Sequence, residues 1–587
     1  MIQYTLTPEP AAHLWRVCLS FCSKDNRPLQ IKLPNWVPGS YLIRDFSRHI
    51  VDIEACCNGR PAVLDQVSKN EWAAENQGGE WQIRYTVYAF DLSVRGSFLS
   101  MERGFFDGAC LLLRVEGYEN RPHQITFRQL PENWQIATTM PVAGDRTFQT
   151  ASYAELIDYP FELGRFETLH FEAGGIPHRI VLSGHYRDFD RSRLLGDVQK
   201  ICAAELEMFA GAAPFQEYLF LLHVGDDIYG GLEHISSTAL LADRNSLPAR
   251  GMGGPDDAYI QLLGLFGHEY FHAWNVKSIK PAAFVPYRLD SESYTEQLWA
   301  FEGITSYYDD LFLARSGVIA PEAYLKLLAQ GVTRVQQGKG RLKQTLAQSS
   351  FTAWNKFYKQ DENSPNAIVS YYQKGALAAL CLDLQIRSRS AGKHSLDTVM
   401  QALYRNWREN GKGIQERQWQ AYCQEITGLD LSGFFQTALY STDDLPLQSS
   451  LEFAGVSLEW LAAPRSHGGG LGSGEVMQPA SDLGARFKQD NDGITLTHVF
   501  NGGSAEQAAL CPKDKIIALN GFACTAFEKQ WAQFDIGETV HIHYFRHGVL
   551  HETDLTVQAA EADTAILHIA DRSLLAQWLG CSGRMTA

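Results

Sequence analysis

The hydrophobic period changes along the chain, and this change limits the fold more than any other feature. Over the first 170 or so residues, apolar side chains recur at every second position, as in half-buried β-strands. The stretch EWQIRYTVYAF places five of them on one face: Trp81, Ile83, Tyr85, Val87 and Ala89. Similar runs around 14–21, 124–127 and 169–172, with Pro, Gly and Asn between them, predict an N-terminal β-sandwich over residues 1–172.

Beyond about Asp188 the apolar spacing becomes helical, and the chain is long enough for several cores. A chain of 587 residues is too long to fold around one hydrophobic core. A helix is predicted from Asp188, a strand at YLFLLHV, and mostly helices from Asp256 to Leu445. PRSHGGGLGSGE then predicts a Gly/Ser-rich linker over residues 461–478, followed by short strands and a small terminal helix at ADRSLLAQWLG. The sequence thus predicts a multidomain α+β protein.

The composition argues against several classes of protein. The chain carries 51 basic and 67 acidic residues, a net charge of −16, so it has no basic footprint for nucleic acid or an anionic membrane. It has no apolar stretch that could span a bilayer and no signal-peptide pattern at its start. The 11 scattered cysteines form neither a disulfide framework nor a zinc ribbon. We expect a cytoplasmic protein; a homo-oligomer stays open.

The stretch HEYFH at residues 268–272 is the strongest candidate for a metal site. If residues 257–275 form a helix, His268 and His272 lie one turn apart and can present two imidazoles to one ion. Glu269, a quarter-turn away, would face the reacting water and not the metal. The alternative is that this pattern arises by chance in a large helical protein, with histidines that are solvated or packed in the core.

A catalytic zinc site needs a third protein ligand, and Glu302 is our candidate. It lies in SESYTEQLWAFEGITSYY, where a helix is predicted to begin at Ser293 with a capping box to Glu296. Glu302 then sits among apolar residues, where an acid is costly unless it is paired or bound to a metal. Glu296 is the alternative ligand, but the cap accounts for it. Gly303 permits close approach by a neighbouring backbone.

Three shorter stretches contain further candidate groups. YGGLEH places Glu233 on a predicted glycine turn after a strand, although an ordinary turn acid is the alternative. SYYQKGALAALCLDL places Tyr371 and Tyr372 at the start of an apolar helix, where core packing accounts for at least one of them. His541 and His543 alternate on a predicted strand and could chelate a metal, while solvated strand residues are the simpler interpretation.

Taken in order, these motifs resemble a known family of zinc peptidases. HExxH followed at a distance by Glu on a WxxEG helix is similar to the gluzincin metallopeptidases, which share a thermolysin-like catalytic domain. HEYFHAWN (268–275), GGLEH (230–234), LWAFEGITSYY (298–308) and LPNWVPGSYLIRDFSRHI (33–50) resemble the PDZ-containing glycyl aminopeptidase family. The resemblance implies a mostly helical, thermolysin-like catalytic domain with a C-terminal helical bundle over residues 173–460.

The resemblance also implies one zinc ion and assigns roles around it. His268, His272 and Glu302 match the zinc ligands, and Glu269 matches the catalytic acid/base. Zinc-dependent hydrolysis of the N-terminal peptide bond of a peptide substrate is therefore expected. A preference for N-terminal Gly or Ala is what the family implies.

Other positions match the substrate-binding part of the family pattern. Glu233 resembles the glutamate that holds the substrate α-ammonium, and here the motif ends in His234 where larger relatives have Asn. Tyr372, before a KG pair, is similar to the tyrosine that stabilises the oxyanion, with Tyr371 as an alternative. The implied substrate-binding residues are Glu233, Gly230 and Gly231.

The segment from Ser481 to Gly521 resembles a PDZ domain, which we predict over residues 479–560 with a C-terminal extension at 561–587. Leu483, Gly484 and Ala485 would match the loop that binds a peptide carboxylate. The departure from the PDZ pattern is ALCPKDKI, where Cys511 and Lys513 stand in place of the more usual Gly-Leu-x-x-Gly-Asp. This departure bears on peptide binding more than on the fold. The domain could also pack on the catalytic domain.

Two other functions are consistent with the sequence. One is a zinc endopeptidase whose PDZ domain recruits protein substrates. The other is an inactive peptide-binding scaffold, against which the complete set of ligands and base argues. Glu233 favours the aminopeptidase only if it faces the substrate amine.

Overall fold

The computed structural model describes residues 1–24, 26–76, 78–463, 465 and 481–580. These residues form two compact units. The first contains Met1–Ser293 and the short segment Tyr404–Ile414, and the second contains Tyr294–Leu403 and the chain from Gln415 onward. The HEYFH histidines and Glu233 belong to the first unit, whereas Glu302 and both tyrosines of SYYQKG belong to the second.

The predicted N-terminal β-structure is confirmed as three sandwich-like sheets that share one apolar core. The largest sheet has eight strands, in sheet order Val142–Gly144, Thr147–Thr150, His123–Phe127, Ile2–Glu9, Leu14–Ser23, Gly79–Tyr88, Ile50–Cys57 and Arg60–Ala62. One four-stranded sheet contains Gln135–Ala137, Phe161–Gly164, Arg103–Phe106 and Ser97–Leu99. The other contains Arg114–Val115, Leu29–Lys32, Glu71–Ala74 and Asp65–Ser68.

The alternation predicted for EWQIRYTVYAF is present in the strand Gly79–Tyr88. Trp81, Ile83 and Tyr85 are each no more than 1% exposed, while the residues between them mostly face outward. A strand with one apolar face buries that face against the core and leaves its polar face to solvent. The two-residue period therefore identified the core face correctly.

A five-stranded sheet follows and carries Glu233. Its strands, in sheet order, are Glu167–Ala173, Ile176–Gly184, Tyr218–Gly225, Ser237–Asp243 and Gly230–Glu233. The three central strands are parallel, and the run YLFLLHV is buried at nearly every position, as expected for a parallel strand covered on both faces. Gly230–Glu233 is an edge strand antiparallel to Ser237–Asp243, so the prediction of a glycine turn at this place is wrong. Backbone pairing with Ser237–Asp243 holds both glycines in an extended conformation.

The helices of the first unit are few. Its α-helices are Gly108–Leu111, Tyr153–Leu156, Arg191–Met208 and Asp257–Phe271, and its 3-10 helices are Pro10–Ala12, Phe46–His49, Arg244–Ser246 and Ala282–Phe284. Arg191–Met208 is the helix predicted from Asp188, with the Asp190 side chain capping Arg193 N. We call Asp257–Phe271 the histidine helix.

The second unit is largely helical up to Phe453, as predicted. After the π-helical turn Trp299–Gly303, its α-helices are Ile304–Arg315, Pro321–Gln337, Leu346–Phe351, Ser364–Ala367, Gln373–Arg389, Leu396–Asn410, Gln418–Thr427, Ser432–Tyr440, Leu447–Phe453 and Arg572–Leu579. Two 3-10 helices, Lys339–Leu342 and Phe357–Lys359, lie between them. The helix Leu396–Asn410 is divided between the units, and its residues from Tyr404 onward belong to the first unit.

The helix that carries Glu302 begins later than predicted. It opens with the π-helical turn Trp299–Gly303 and not with a capping box at Ser293. The segment before it is held by Glu416, whose carboxylate accepts hydrogen bonds from Thr295 Oγ1 at 2.6 Å and from the backbone N of Glu296 at 3.2 Å. The capping-box argument for setting Glu296 aside is therefore wrong. Burial still favours Glu302 over Glu296 as the candidate ligand, because Glu302 is only 2% exposed.

Sheets return at the C-terminal end of the second unit. One sheet, with its own apolar core, contains Ala485–Asp490, Gly493–Val499, Lys515–Leu519, Phe522–Ala523, Thr539–Arg546 and Val549–Thr556, and the helices Ser504–Gln507 and Phe527–Trp531 accompany it. Two further strand pairs are Val456–Ala462 with Ala562–Ile569 and Ser481–Asp482 with Gln558–Ala559. Most of the predicted linker 461–478 lies outside the described residues.

The predicted terminal helix is present as Arg572–Leu579, with Asp571 as its N-cap. Among the residues that the structure describes, no helix is both long and apolar enough to cross a membrane.

Candidate active site

The histidine helix is fixed at both ends. The Asp256 side chain accepts a hydrogen bond from the backbone N of Tyr259 at 2.8 Å, which caps the first turn. The helix then buries a broad apolar surface that includes Leu263, Phe266 and Tyr270. It ends at Phe271, so His272 occupies the C-cap position and its ring is held by the turn that follows.

His268 and His272 point their Nε2 atoms at each other. These two nitrogens are 3.1 Å apart, and the rings are nearly perpendicular. Nδ1 of His272 lies 2.8 Å from the carbonyl oxygen of Asn275, so it donates to that oxygen and leaves Nε2 as the ring nitrogen that can act as a ligand. Two ligands at 2.0–2.1 Å from a tetrahedral zinc ion are separated by about 3.3 Å. The histidine pair therefore has the geometry of two ligands of one ion.

The letters AWN, which follow HEYFH, form this supporting turn. Trp274 is fully buried, stacks on Phe209 at 4.8 Å and donates from Nε1 to the carbonyl oxygen of Ala212 at 2.8 Å. Asn275 supplies the carbonyl that holds His272, and its backbone N bonds to Phe271 O. The turn thus sets the orientation of one imidazole.

Two buried carboxylates lie beside the histidines. Glu233 and Glu269 are 4% and 5% exposed, and potential ligand atoms of these two residues and His272 lie within 4.8 Å of one another. Oε1 of Glu233 and Oε2 of Glu269 are buried and have no hydrogen-bond partner among the described residues. Buried carboxylate oxygens are costly without a partner, so this arrangement indicates that a cationic or hydrogen-donating ligand binds here.

The strand Gly230–Glu233 makes room for Glu269. A Cβ atom built on Gly231 would lie only 1.9 Å from Oε1 of Glu269, so the carboxylate occupies the space that a side chain would need. A Cβ on Gly230 would meet nothing closer than Nη1 of Arg95, at 3.5 Å. Nη2 of Arg95 donates to the carbonyl oxygen of Gly231 at 2.9 Å, which fixes the strand against this carboxylate.

Burial raises the pKa of Glu269 to about 7. Electrostatic interaction with His268 and His272 opposes this shift, and the negative charge of Glu233 adds to it. A carboxyl group with a pKa near neutrality can both accept and donate a proton at physiological pH.

Sequence reasoning missed Gly39, which closes over Glu233 from the N-terminal sheets. A Cβ on Gly39 would lie 2.5 Å from Oε2 of Glu233, and Gly39 has a φ of +98°, which favours glycine. Trp36 anchors this loop by donating from Nε1 to the carbonyl oxygens of Arg288 and Ser291, at 2.8 and 3.0 Å. Gly39 is visible in the stretch NWVPGSY, but the sequence does not show that this glycine contacts Glu233.

A buried charged cluster lies behind Glu233. His234 is 2% exposed and lies 3.4 Å from Asp158 and 3.6 Å from Asp107, while Lys277 Nζ lies 2.5 Å from Asp158 Oδ1. Burial raises the pKa of Asp107 to about 6. Burial opposes the charged form of Asp158 as well, but the Lys277 ammonium and His234 hold the pKa of Asp158 well below its usual range. These contacts fix the end of the strand that carries Glu233.

In the second unit, Glu302 packs close to the helix Gln373–Arg389. A Cβ on Gly303 would lie 2.6 Å from Cα of Gly375 and 2.8 Å from the carbonyl oxygen of Tyr371, and a Cβ on Gly375 would lie 2.9 Å from Cα of Gly303. The two glycines therefore let the backbones touch, as predicted for Gly303. This contact brings Glu302 near Tyr371, whose pKa is raised by burial first and by the charges of Tyr358 and Glu302 in addition.

The two tyrosines differ in exposure. Tyr371 is fully buried, and its hydroxyl has no hydrogen-bond partner among the described residues. Tyr372 is half-buried at the N-cap of the helix, with its hydroxyl 3.3 Å from that of Tyr358 and its ring stacked on Phe357. Of the two, Tyr371 is the one that lies near Glu302, and only Tyr372 retains a solvent-accessible side chain.

Comparison with known proteins connects these elements to a family. The family model of the Peptidase M61 N-terminal domain matches residues 3–165, and that of M61 glycyl aminopeptidase matches residues 261–378. A solved structure of an aminopeptidase N family protein from Idiomarina loihiensis is 40% identical, with a TM-score of 0.95, over 99% of this chain and 100% of that one. The chain belongs to the M61 glycyl aminopeptidase family. It is accordingly a peptidase, as the sequence resemblance implied.

The M61 matches cover the elements described above unevenly. The N-terminal match includes Gly39, and the second match includes the histidine helix from residue 261 onward, Glu302 and both tyrosines. The strand Gly230–Glu233 lies between the two matched segments.

More distant structural likenesses add little to the M61 assignment. An M1 zinc metallopeptidase from Deinococcus radiodurans is 14% identical over 76% of this chain and 94% of that one, with a TM-score of 0.46. A variant of it with a bound Tyr-Ser-Ala substrate gives the same identity and coverage and a TM-score of 0.47. Scores this low establish neither fold nor function for this chain. Among curated proteins, nothing matches.

Proposed function

We propose that this M61 peptidase is a zinc-dependent aminopeptidase that removes the N-terminal residue of peptides, with a preference for Gly or Ala. One observation carries the proposal: two buried carboxylates, Glu233 and Glu269, lie beside two histidine Nε2 atoms that are 3.1 Å apart, and each has an oxygen with no hydrogen-bond partner among the described residues. A peptidase of this kind needs a metal, a base and an anchor for the substrate amine, and this cluster contains groups suited to each task.

In this proposal His268, His272 and Glu302 hold one zinc ion. Imidazole nitrogens and a carboxylate oxygen are ligands that zinc prefers, and three protein ligands leave a position open for water. The burial of Glu302 supports its role, because a carboxylate that is 2% exposed in an apolar helix requires a compensating charge or hydrogen bonds. When bound, the zinc would supply Lewis-acid polarisation of the scissile carbonyl and make the attacking water more acidic.

The chain's own residues would then manage the protons. Glu269 would accept a proton from the attacking water as general base and pass it to the leaving amine as general acid. Tyr372 would donate a hydrogen bond to the oxygen that becomes negatively charged in the transition state. We assign this role to Tyr372 and not Tyr371, because the side chain of Tyr371 is fully buried.

Glu233 would bind the free N-terminus of the substrate and so restrict cleavage to its first peptide bond. Its Oε1, which has no hydrogen-bond partner in the described part of the chain, can accept hydrogen bonds from the substrate α-ammonium, and the pairing of opposite charges in a buried place is strong. The backbone of Gly39 closes over the other oxygen, which supports a narrow space at this end of the site. A narrow space next to the ammonium anchor favours small N-terminal residues such as Gly and Ala.

We further propose the domain organisation given by the sequence: an N-terminal β-sandwich at 1–172, a thermolysin-like catalytic domain at 173–460, and a PDZ domain at 479–560. In the C-terminal sheet, Phe487 of the strand Ala485–Asp490 packs on Phe527 at 4.9 Å, and Gln489 Oε1 accepts from Phe527 N at 3.0 Å. These contacts occupy part of the space between strand and helix where a PDZ domain takes a peptide as an added strand. They argue against a peptide bound in that space.

Metal analysis of matched variants tests the ligand assignment. Glu302→Ala and His272→Ala should lower bound zinc, whereas Glu269→Gln should abolish turnover and keep the zinc. The competing ligand set, Glu233 with Glu269 and His272, predicts that Glu269→Gln loses zinc and Glu302→Ala keeps it. Full zinc content and full activity in Glu302→Ala would show that our third ligand is wrong. Absence of stoichiometric zinc in the wild type would contradict the proposed function itself.

A further inference from the structure

A second cluster of metal-ligating side chains lies on the C-terminal sheet, in the hairpin of Thr539–Arg546 and Val549–Thr556. These strands are antiparallel, with His541 opposite Asp554 and His543 opposite Glu552. Positions two apart on a strand face the same side of the sheet, and so do directly opposed partners. The four side chains therefore form a rectangle on one face of the hairpin, with two imidazoles on one strand and two carboxylates on the other.

The distances within this rectangle suit a metal ion. Nε2 of His541 lies 3.5 Å from Oε2 of Glu552, and Nε2 of His543 lies 3.9 Å from the same oxygen. Ligand atoms of these three residues all lie within 4.8 Å of one another. Ligands of a tetrahedral zinc ion are separated by about 3.3 Å, so small rotations of exposed side chains would bring all three into range.

Asp554 completes the arrangement by orienting His541. Its Oδ1 lies 2.7 Å from Nδ1 of His541, so the ring donates from Nδ1 and leaves Nε2 directed toward Glu552. A carboxylate that holds the far nitrogen of a histidine in this way is typical of zinc sites. Across the next strand, His543 is opposite Ala518, whose small side chain leaves the face open to an ion.

We propose that His541, His543 and Glu552 bind a divalent transition-metal ion, zinc by ligand type, at a second site separate from the catalytic one. Two imidazoles and one carboxylate match zinc, and a water would fill the fourth position. All three ligands come from one hairpin of one sheet, and the side chains of His541 and Glu552 are 41% and 70% exposed, so the ion can enter from solvent. Binding would link the two strands at adjacent cross-strand pairs.

Zinc stoichiometry of the full chain tests this site. The metal-free protein is dialysed against zinc buffered in the micromolar range, and bound metal is measured by mass spectrometry. Wild type should bind two zinc ions per chain, and the double variant His541→Ala/His543→Ala should bind one. The matched control is His551→Ala, on the same hairpin but opposite Tyr544 and so on the other face. It should bind two.

The double variant His268→Ala/His272→Ala separates this inference from the proposed function. If wild type binds one zinc that only this second variant loses, the hairpin site is refuted and the catalytic proposal stands. If wild type binds one zinc that only the hairpin variant loses, the catalytic proposal fails and the hairpin site stands. Equal zinc loss in His551→Ala would also overturn the hairpin site, because it would indicate nonspecific binding. Circular dichroism of each variant verifies that the sheet is folded.

Discussion

The substitution Gly231→Ala is predicted to disable the site through a single methyl group. The new Cβ would lie 1.9 Å from Oε1 of Glu269, while ordinary contact begins at 3.4 Å. The backbone at Gly231 does not have a positive φ, so alanine fits the strand itself. The carboxylate of Glu269 must therefore retreat by about 1.5 Å, since it is the nearest group that can move.

The size of the effect follows from this displacement. Misplacing a catalytic group by about 1 Å can cost roughly 100-fold in rate, and loss of a general base costs about 10²–10⁴-fold. We expect kcat/KM to fall by at least about 100-fold, which corresponds to about 2.7 kcal/mol of transition-state stabilisation. Overpacking of this kind costs about 1–3 kcal/mol of folding stability, so the variant should still fold.

Steady-state hydrolysis of a glycyl peptide measures the loss, with Gly230→Ala as the comparison variant. At Gly230 the added Cβ meets only Arg95 Nη1 at 3.5 Å and Val94 Cγ2 at 3.8 Å, which are ordinary contacts. Gly230→Ala leaves the Glu269 carboxylate in place, so it should lower kcat/KM much less than Gly231→Ala does. Equal activity of Gly231→Ala and wild type, or equal losses in both variants, would refute the role given to Glu269.

Two further predictions concern transition-state stabilisation and folding stability. Tyr372→Phe should lower kcat by about 10²–10³-fold with little change in KM, as for loss of an oxyanion donor. Tyr371→Phe should lower kcat much less. If steady-state kinetics instead showed the larger loss for Tyr371→Phe, the role would belong to Tyr371. Arg103→Met should reduce the free energy of unfolding by about 3–5 kcal/mol. The substitution removes two hydrogen bonds of 2.7 Å from Arg103 to Glu162 and leaves the Glu162 carboxylate buried and unpaired. Arg84→Met, which breaks an exposed ion pair with Glu54, should change it far less in the same denaturant titration, and equal effects would show that burial does not govern these pairs.

Periodicity predicted the elements well and their ends less well. The strand Gly79–Tyr88 and the histidine helix follow from local apolar spacing, which a sequence shows directly. The start of the helix at Trp299 does not, because Glu416, more than 100 residues away, holds the preceding segment in place of a capping box. Gly230–Glu233 is a strand for a similar reason, since its pairing with Ser237–Asp243 outweighs the turn preference of two glycines.

Within the site, the sequence motifs identified reactive groups but not the groups that hold them. HEYFH indicates two histidines and a base by helical spacing alone. The contact of Gly39 with Glu233 depends on a loop almost 200 residues earlier in the chain, and no local pattern encodes it. The support that Asn275 gives to His272 comes from a backbone carbonyl, which any residue could supply, so its identity carries no chemical signal.

Selection of the free chain end is the central claim, and paired substrates test it most directly. Hydrolysis of a glycyl peptide is compared with that of its N-acetylated twin, for wild type and for Glu233→Gln. We predict that wild type cleaves only the free-amine peptide, and that Glu233→Gln loses about 10- to 100-fold on it, the strength of a hydrogen bond to a charged group. Cleavage of both peptides at equal rates by wild type would contradict the account and would favour an endopeptidase.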